Sequence, residues 1–219
     1  MPIKLIIFDL DGTLIDSSRD ITDAINYAIG PYGLSPLTTK DTIKLVGEGI
    51  SRLIEKLLST TNFNGNDDVR RTVMDRFLEY YSAHLLDNTD TYPNVRLTLE
   101  RLREYKKAVI SNKREALSRR ILEGLGLSNF FDAIIGSDST PEKKPSPLPI
   151  LKVLAELDVK PQEAIIVGDS NLDIEAGRAA GLRTVSVTYG YRPYEMIKDA
   201  DFVIDRLGDL EEIIKMLDK

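Results

Sequence analysis

The chain alternates between short apolar runs and longer stretches in which apolar residues recur every three or four positions. Short apolar runs bounded by polar residues or glycine are typical of buried parallel strands, and the longer spacing is typical of amphipathic helices. The pattern predicts strands at 3–8, 108–110, 133–135, 164–167, 184–187 and 202–204, and helices at 95–105, 115–125, 146–157, 172–180 and 210–217. Strands that alternate with helices indicate an α/β fold with a doubly wound, Rossmann-like and mostly parallel sheet.

Residues 17–86 follow a different pattern, because they offer helical spacing and no convincing strand. Three stretches carry apolar residues on one helical face, namely Ile21, Ala24, Ile25 and Ala28, then Leu53, Ile54, Leu57 and Leu58, then Val69, Val73, Phe77, Tyr80 and Tyr81. The sequence therefore predicts a small α-helical cap domain at 17–86. It would be inserted after the first strand of an α/β core domain made of residues 1–16 and 87–219.

Two aspartates, Asp9 and Asp11, follow the first predicted strand. Side chains two residues apart in an extended segment point the same way, so both carboxylates would face one spot. Two ionised carboxylates about 5 Å apart repel by roughly 3 kcal/mol at an effective dielectric constant of about 20. A bound cation or a proton on one acid would relieve that repulsion. The dipeptide Asp11-Gly12 is also a common turn, but a turn does not explain Asp9 inside the apolar run.

A second acidic pair follows the fourth predicted strand, where Gly168 and Asp169 end the strand and Asp173 falls in the first turn of the next helix. Asp173 could simply favour the positive end of that helix. In parallel sheets, however, the carboxyl ends of the strands meet at one edge, where ligands bind. Acids at the ends of two strands therefore predict a site for a hard cation, with Mg²⁺ as the expected ion.

Composition narrows the chemistry to carboxylates, lysines, hydroxyls and backbone amides. The chain has no cysteine and one histidine, His84, which excludes thiolate chemistry and argues against a histidine metal cluster or a Ser-His-Asp triad. A formal charge of -6 argues against a nucleic-acid partner. No signal peptide and no membrane-spanning apolar run is apparent, so we expect a cytoplasmic protein without a membrane partner. The sequence gives no prediction of oligomeric state.

Neutral and positive donors follow the other predicted strands. Ser111 and Asn112 come after the second strand and could donate to phosphoryl oxygens at a helix start, or simply cap that helix. Lys144 lies in the loop after the third strand, where Pro145 and Pro147 stiffen the chain. These positions favour a functional role for Lys144, whereas its neighbour Lys143 is interpreted as a solvated loop lysine.

Together these segments resemble the four motifs of the haloacid dehalogenase superfamily. The matching segments are DLDGT at 9–13, Ser111, Lys144 within KKPSP, and GDSNLD at 168–173, in the family's order and across nearly the whole chain. Within that superfamily the likeness is closest to the phosphoglycolate phosphatases, on DGTLIDS, the Ser-Asn-Lys run at 111–113, KPSP and VTYGY at 187–191. The second acid, Asp11, argues against dehalogenation, because dehalogenases use a single carboxylate in this motif.

The resemblance implies hydrolysis of a small phosphomonoester, with 2-phosphoglycolate as the expected substrate, through a covalent aspartyl phosphate. It implies these roles: Asp9 as nucleophile and Mg²⁺ ligand; Asp11 as general acid and base, with its backbone carbonyl on the metal; Thr13, Ser111 and Asn112 holding phosphoryl oxygens; Lys144 neutralising charge; Asp169 completing the metal shell; and Asp173 holding Lys144 or a metal-bound water. Gly12, in the turn after the first strand, and Gly168, which allows close backbone approach, are expected to support the site. Positioning and charge neutralisation are what phosphoryl transfer requires.

Other functions remain open at this stage. A β-phosphoglucomutase-like sugar phosphomutase shares all four motifs, and Arg52 in the predicted cap could bind either a second phosphate or the carboxylate of phosphoglycolate. Arg52 could equally be an exposed helix arginine. A pyrophosphatase or nucleotidase of the same superfamily is a further alternative. A phospho-receiver signalling module is a remote one, because receivers are shorter and carry their acids on separate strands.

Overall fold

The computed structural model describes residues 2–218 and divides the chain into two compact units. The larger unit consists of Met1–Asp16 and Thr91–Lys219, and the smaller unit is Ser17–Asp90. The smaller unit thus continues four residues beyond the boundary predicted at residue 86. That the two units act as a catalytic core and a cap domain stays a prediction.

A six-stranded parallel sheet forms the centre of the larger unit. The strands are, in chain order, β1 (Leu5–Phe8), β2 (Ile15–Asp16), β3 (Asp90–Thr91), β4 (Lys106–Ile110), β5 (Ala133–Ile135), β6 (Ala164–Gly168), β7 (Arg183–Val187) and β8 (Phe202–Ile204). The large sheet has the order β5-β4-β1-β6-β7-β8, and β2 and β3 form a separate two-stranded sheet. The predicted α/β fold with a doubly wound parallel sheet is confirmed.

The described helices are α1 (Ser18–Ile29), α2 (Thr39–Leu45), α3 (Ile50–Leu58), α4 (Asp67–Ala83), α5 (Val95–Arg101), α6 (Glu115–Gly124), α7 (Leu148–Glu156), α8 (Asn171–Ala179), α9 (Tyr194–Ile197) and α10 (Leu210–Leu217). The sequence pattern missed α2 and α9, because helices of seven and four residues show too few apolar repeats. Helix α7 begins two residues later than predicted, after Pro147 at its N-cap position. No helix within residues 2–218 has both the length and the apolar character needed to cross a bilayer.

Strand β1 lies at the centre of the sheet and pairs with β4 on one side and β6 on the other. All four of its residues are fully buried, which explains why its sequence is a continuous apolar run rather than an alternating one. Leu5 and Ile7 belong to a core cluster that includes Ile150 and Val153 of α7. Burial of one such side chain contributes about 1.5–3 kcal/mol to folding.

The strand order reverses between β1 and β6, because the chain first builds outward through β4 and β5 and then returns to the other side of β1. Ligands of open α/β sheets bind at such a switch point, beyond the carboxyl ends of the strands. Phe8 pairs with Val109 on one side and Val167 on the other. The loops that follow β1, β4 and β6 therefore begin at one edge of the sheet.

The smaller unit is helical and contains α1 to α4. Its first helix is joined to the end of the unit by the buried carboxylate of Asp20. This carboxylate accepts hydrogen bonds from the backbone and side chain of both Asn88 and Thr89, over 2.7–3.0 Å. Burial alone would raise the pKa of Asp20, but these hydrogen bonds outweigh it and lower the pKa. Asp20 therefore ties together the two ends of the inserted segment as a charged group.

Candidate active site

A buried lysine joins the ends of three strands in the larger unit. Lys144 Nζ lies 2.8 Å from Asp9 Oδ1 and 2.7 Å from Asp173 Oδ1, and it donates a hydrogen bond of 2.7 Å to the carbonyl of Ile110. Its side chain is only 2% exposed. Asp9 follows β1, Ile110 ends β4 and Asp173 lies in the first turn of α8, after β6. The lysine therefore holds two sequence-predicted acids in fixed positions at the switch point of the sheet.

The electrostatics of this group favour a further positive charge. Burial alone would lower the pKa of Lys144, but the carboxylates of Asp173 and Asp9 outweigh it and raise the pKa. Burial raises the pKa of Asp9 to about 7, although Lys144 acts in the opposite direction. Burial and the neighbouring charges of Asp9 and Asp173 raise the pKa of Asp169 to about 8. The cluster thus holds more acid than one lysine neutralises.

Three carboxylates come together at this point. One oxygen from each of Asp9, Asp169 and Asp173 lies within 4.8 Å of the others. A compact set of buried carboxylate oxygens suits a hard divalent cation such as Mg²⁺. The raised pKa values of Asp9 and Asp169 show that the protein alone does not compensate two ionised carboxylates here. A bound divalent cation would supply the missing positive charge and favour the ionised forms of both acids. The donor set therefore fits the predicted ion. The carboxylate of Asp11 is not a member of this cluster, and the metal contact implied for Asp11 was through its backbone carbonyl.

The carboxylate of Asp169 is held by two loops that pass close to it. The backbone amide of Tyr191 donates to Asp169 Oδ2 over 2.6 Å. A Cβ atom at Gly12 or at Gly190 would overlap the Asp169 side chain, and Gly12 also has a φ of +87°. Glycine is therefore needed at both positions, at Gly190 because of the close approach alone and at Gly12 because of the close approach and the left-handed backbone. Gly12 was predicted from the sequence, whereas Gly190 was noticed only within the family-like segment VTYGY.

Asp11 and Lys113 form a separate ion pair. The tight turn after β1 is closed by a hydrogen bond of 2.9 Å from the amide of Gly12 to the carbonyl of Ile15. It brings Asp11 Oδ1 to 2.8 Å from Lys113 Nζ, with side-chain exposures of 12% and 6%. The sequence suggested that one cation or proton separates Asp9 from Asp11. That suggestion stays a prediction, and the structure in addition pairs each of these acids with its own lysine.

Hydroxyl and amide groups surround the acids. Thr13 Oγ1 is buried and has no hydrogen-bond partner among residues 2–218, which suits an atom that awaits a ligand oxygen. The hydroxyl of Ser111 accepts from the amide of Lys113 over 3.2 Å. Asn112 Nδ2 donates to the carbonyl of Lys144 over 2.9 Å, so this amide positions the lysine loop. Contacts of Thr13, Ser111 and Asn112 with phosphoryl oxygens stay predictions.

Neither Ser111 nor Asn112 caps the following helix, since α6 begins at Glu115 with Arg114 at its N-cap position. The capping alternative raised by the sequence is therefore wrong. At α8, in contrast, Asp173 does take part in a cap, because its Oδ2 accepts from the amide and the hydroxyl of Ser170 over 3.2 and 2.6 Å. A Cβ atom at Gly168 would overlap Asp173. One carboxylate thus fixes both the start of α8 and the position of Lys144.

Arg52 lies in α3 of the smaller unit. Its guanidinium is 2.8 Å from Glu55 Oε2 and 3.6 Å from Glu48 Oε2, and its side chain is 48% exposed. These ion pairs lie within one helix and its preceding loop, and exposed pairs of this kind add little to stability. The substrate-binding role considered for Arg52 stays a prediction.

Sequence reasoning gave no role to Lys113, Tyr189 or the backbone of Tyr191, although all three lie in family-like segments. Tyr189 donates its hydroxyl hydrogen to the carbonyl of Thr13 over 2.9 Å and so braces the turn after β1. The available signal was position: Lys113 follows β4 by three residues, and Asp11 follows β1 by three residues. Because β1 and β4 are adjacent and end within one residue of each other in the pairing register, similar distances along the chain bring the two side chains together.

Replacing Asp169 with asparagine is expected to raise the melting temperature of the metal-free protein, and the gain should grow as the pH rises from about 5 to 8. The folded-state pKa of about 8 lies above the ordinary value of 3.8. The stabilisation from a protonated Asp169 is therefore complete below about pH 4 and is lost as the pH rises through 8, whereas asparagine stays neutral. Thermal unfolding in EDTA at several pH values measures the difference. Exposed Asp199→Asn is the control, and a gain that is independent of pH would contradict the expected burial of charge.

Comparison with known families assigns most of the chain to one group. Residues 6–187 match the family model described as haloacid dehalogenase-like hydrolase. This span includes every residue predicted for the site. It also includes the smaller helical unit, so the match extends over both parts of the chain.

Individual relatives resemble the chain over its whole length. A protein of Aquifex aeolicus named phosphoglycolate phosphatase is 40% identical, with 98% of this chain and 97% of the relative aligned. A protein of the same name from Chromobacterium violaceum is 37% identical, with 97% of each chain aligned. The crystal structure of a predicted phosphoglycolate phosphatase from Haemophilus somnus superposes with a TM-score of 0.89 and 32% identity, covering 96% of this chain and 97% of that one.

Proposed function

Because the chain belongs to the haloacid dehalogenase-like hydrolase family and is a phosphoric monoester hydrolase, we propose that it hydrolyses 2-phosphoglycolate with Mg²⁺ through a phosphorylated Asp9. One observation carries the mechanism: Lys144 holds the carboxylate of Asp9 at the switch point, within 4.8 Å of two further acids. Full-length relatives named phosphoglycolate phosphatase support the substrate. The phospho-receiver alternative has no support, since the family match covers residues 6–187.

In the first step of the proposed reaction, a carboxylate oxygen of Asp9 attacks phosphorus and the bond from phosphorus to the glycolate oxygen breaks. Asp9 Oδ1 accepts from the amide of Leu10 over 2.7 Å and pairs with Lys144 over 2.8 Å, so the carboxylate has a fixed orientation. Asp11 is paired with Lys113 in the structure and must take up a proton before this step, and it then donates that proton to the departing oxygen. Lys113, 2.8 Å away, stabilises the carboxylate that this transfer leaves on Asp11.

In the second step, the carboxylate of Asp11 takes a proton from water as the water oxygen attacks phosphorus. The bond between phosphorus and Asp9 breaks, which releases inorganic phosphate and restores both acids. Thr13 and Ser111 donate to phosphoryl oxygens, and Lys144 neutralises Asp9 and the transferring group. Mg²⁺ bound by Asp9, Asp169 and the backbone carbonyl of Asp11 would add positive charge against the carboxylates and the phosphoryl oxygens.

The proposed partner is a small phosphomonoester. A cytoplasmic location and the lack of nucleic-acid or membrane partners stay predictions of the sequence. The sugar-phosphomutase alternative depended on Arg52, which in the structure pairs with Glu48 and Glu55. Within residues 2–218, no contact of Arg52 favours that alternative over hydrolysis. The pyrophosphatase or nucleotidase alternative differs only in substrate.

Phosphate release from a panel of esters tests the proposal. With Mg²⁺ we expect the largest kcat/KM for 2-phosphoglycolate among phosphoglycolate, a hexose phosphate, a nucleotide and pyrophosphate, and no release in EDTA. Isomerisation of the hexose phosphate without release would favour the mutase. A preference for pyrophosphate or the nucleotide would change the substrate and keep the mechanism. Full activity in EDTA would overturn the metal-dependent mechanism itself.

A further inference from the structure

We propose that Lys113 forms a subsite for a carboxylate on the leaving group and selects esters that carry one beside the scissile bond. The inference rests on the proposed function, because it takes 2-phosphoglycolate as the substrate and Asp11 as the acid that protonates the departing oxygen. It assigns to Lys113 a role in specificity that Lys144 cannot fill. Lys144 is occupied by Asp9, Asp173 and the carbonyl of Ile110.

The backbone of Lys113 is fixed beside the proposed phosphate cradle. Its amide donates to Ser111 Oγ over 3.2 Å, and its carbonyl accepts from the amide of Ser137 over 2.9 Å. Ser111 follows β4 directly, and Ser137 lies just after β5. Lys113 is thus held between the loops of two adjacent strands, at the edge of the sheet where Asp9 and Asp11 lie.

The ammonium group of Lys113 is close to where the leaving group would start. It lies 2.8 Å from Asp11 Oδ1, and Asp11 must come within hydrogen-bond distance of the departing oxygen in order to protonate it. A group bonded to that oxygen through one methylene therefore comes near the same ammonium. The side chain of Lys113 is also only 6% exposed, so its charge is only weakly screened by solvent.

The chemistry of 2-phosphoglycolate matches this placement. Only one methylene separates its ester oxygen from its carboxylate, which puts the second anion beside the first step of the reaction. An ammonium has three donor hydrogens, so Lys113 can bind Asp11 and a substrate carboxylate together. A charge-assisted hydrogen bond away from bulk water contributes strongly to binding. A neutral alcohol leaving group would gain no such contact.

The test compares two esters that differ in this one group, 2-phosphoglycolate and 2-hydroxyethyl phosphate. Lys113→Met is expected to raise KM for phosphoglycolate about 10- to 100-fold, the effect of losing a hydrogen bond between charged groups. KM for 2-hydroxyethyl phosphate should change by less than about 3-fold. Because Lys113 also stabilises the carboxylate of Asp11, kcat should fall by a similar factor for both esters. Lys113→Arg should restore much of the preference. Lys4→Met is the control, since Lys4 Nζ is paired with Glu163 over 2.7 Å before the start of β1, at the opposite edge of the sheet.

Binding of both esters to the Asp9→Asn variant, measured by calorimetry with and without Lys113→Met, separates the subsite from the reaction. Tighter binding of phosphoglycolate that disappears with Lys113→Met supports the subsite. If the unaltered protein releases no phosphate from either ester while this difference persists, the proposed hydrolysis fails and the subsite stands. If Lys113→Met weakens the binding of both esters equally, Lys113 only positions Asp11 or supports folding, and the subsite is overturned. Unchanged affinities for both esters would overturn it as well.

Discussion

Asp9→Asn is expected to reduce kcat for phosphate release by at least about 1,000-fold, because an amide cannot form the acyl phosphate. The substitution preserves the size of the side chain, so the loss should come from chemistry and not from unfolding. Burial raises the pKa of Asp9 to about 7, and asparagine removes the cost of ionising this buried group. We therefore expect the metal-free variant to melt at the same temperature as the unaltered protein or higher at pH 8.

Asp199→Asn serves as the control for Asp9→Asn, because Asp199 is an exposed aspartate in the same unit. It should leave both kcat and the melting temperature unchanged. Initial rates under saturating 2-phosphoglycolate and Mg²⁺, together with thermal unfolding, measure both quantities. An Asp9→Asn variant that retains activity within about 10-fold of the unaltered protein would remove Asp9 from the role of nucleophile.

Lys144→Met is expected to lower both catalysis and stability. Removal of one member of a buried ion pair leaves uncompensated charge and costs about 3–5 kcal/mol. Here Asp9 and Asp173 would both lose a partner that lies within 2.8 Å. Loss of positive charge at the transferring group should also reduce kcat/KM by about 100- to 1,000-fold. Denaturant unfolding and steady-state kinetics measure the two effects.

Lys143→Met provides a matched control for Lys144→Met, because the two lysines are adjacent but Lys143 is only half-buried. We expect this control to keep its activity and to lose little stability. The stability loss of Lys144→Met should shrink with Mg²⁺, whose charge would partly replace the ammonium. Equal losses in the two variants would mean that the loop as a whole, and not the Lys144 charge, supports the site.

The sequence predicted the sheet well because its strands are buried on both faces. The run Leu5–Phe8 is apolar throughout and fully buried, and the strand predicted at 133–135 matches β5. Helices α2 and α9 escaped prediction, since their seven and four residues carry too little apolar spacing. Helix α2 did carry a local signal, because Thr38 and Asp41 form a capping box.

Within the site, the sequence identified residues whose strand-end position is unusual for their type. An acid inside an apolar run, such as Asp9, is visible without any structure. The partners of these acids are not visible, since they depend on strand order and register. Lys113 lies 102 positions from Asp11 in the sequence and reaches it only because β4 pairs beside β1. Gly190 is a similar case, because its contact with Asp169 depends on β7 lying next to β6.

Trapping of the covalent intermediate tests the central claim most directly. The Asp11→Asn variant lacks the proposed acid and base, but p-nitrophenolate is a good leaving group and departs from p-nitrophenyl phosphate without protonation. Attack of water on the phosphorylated enzyme still needs the missing base, so the phosphorylated enzyme should accumulate. Rapid acid quench, borohydride reduction and peptide mass spectrometry would convert an aspartyl phosphate to homoserine and locate it. We predict homoserine at position 9, in proportion to the burst of p-nitrophenol and only with Mg²⁺. A burst with reduction at another residue, or p-nitrophenol release with no phosphorylated protein, would contradict the assignment of Asp9 as nucleophile.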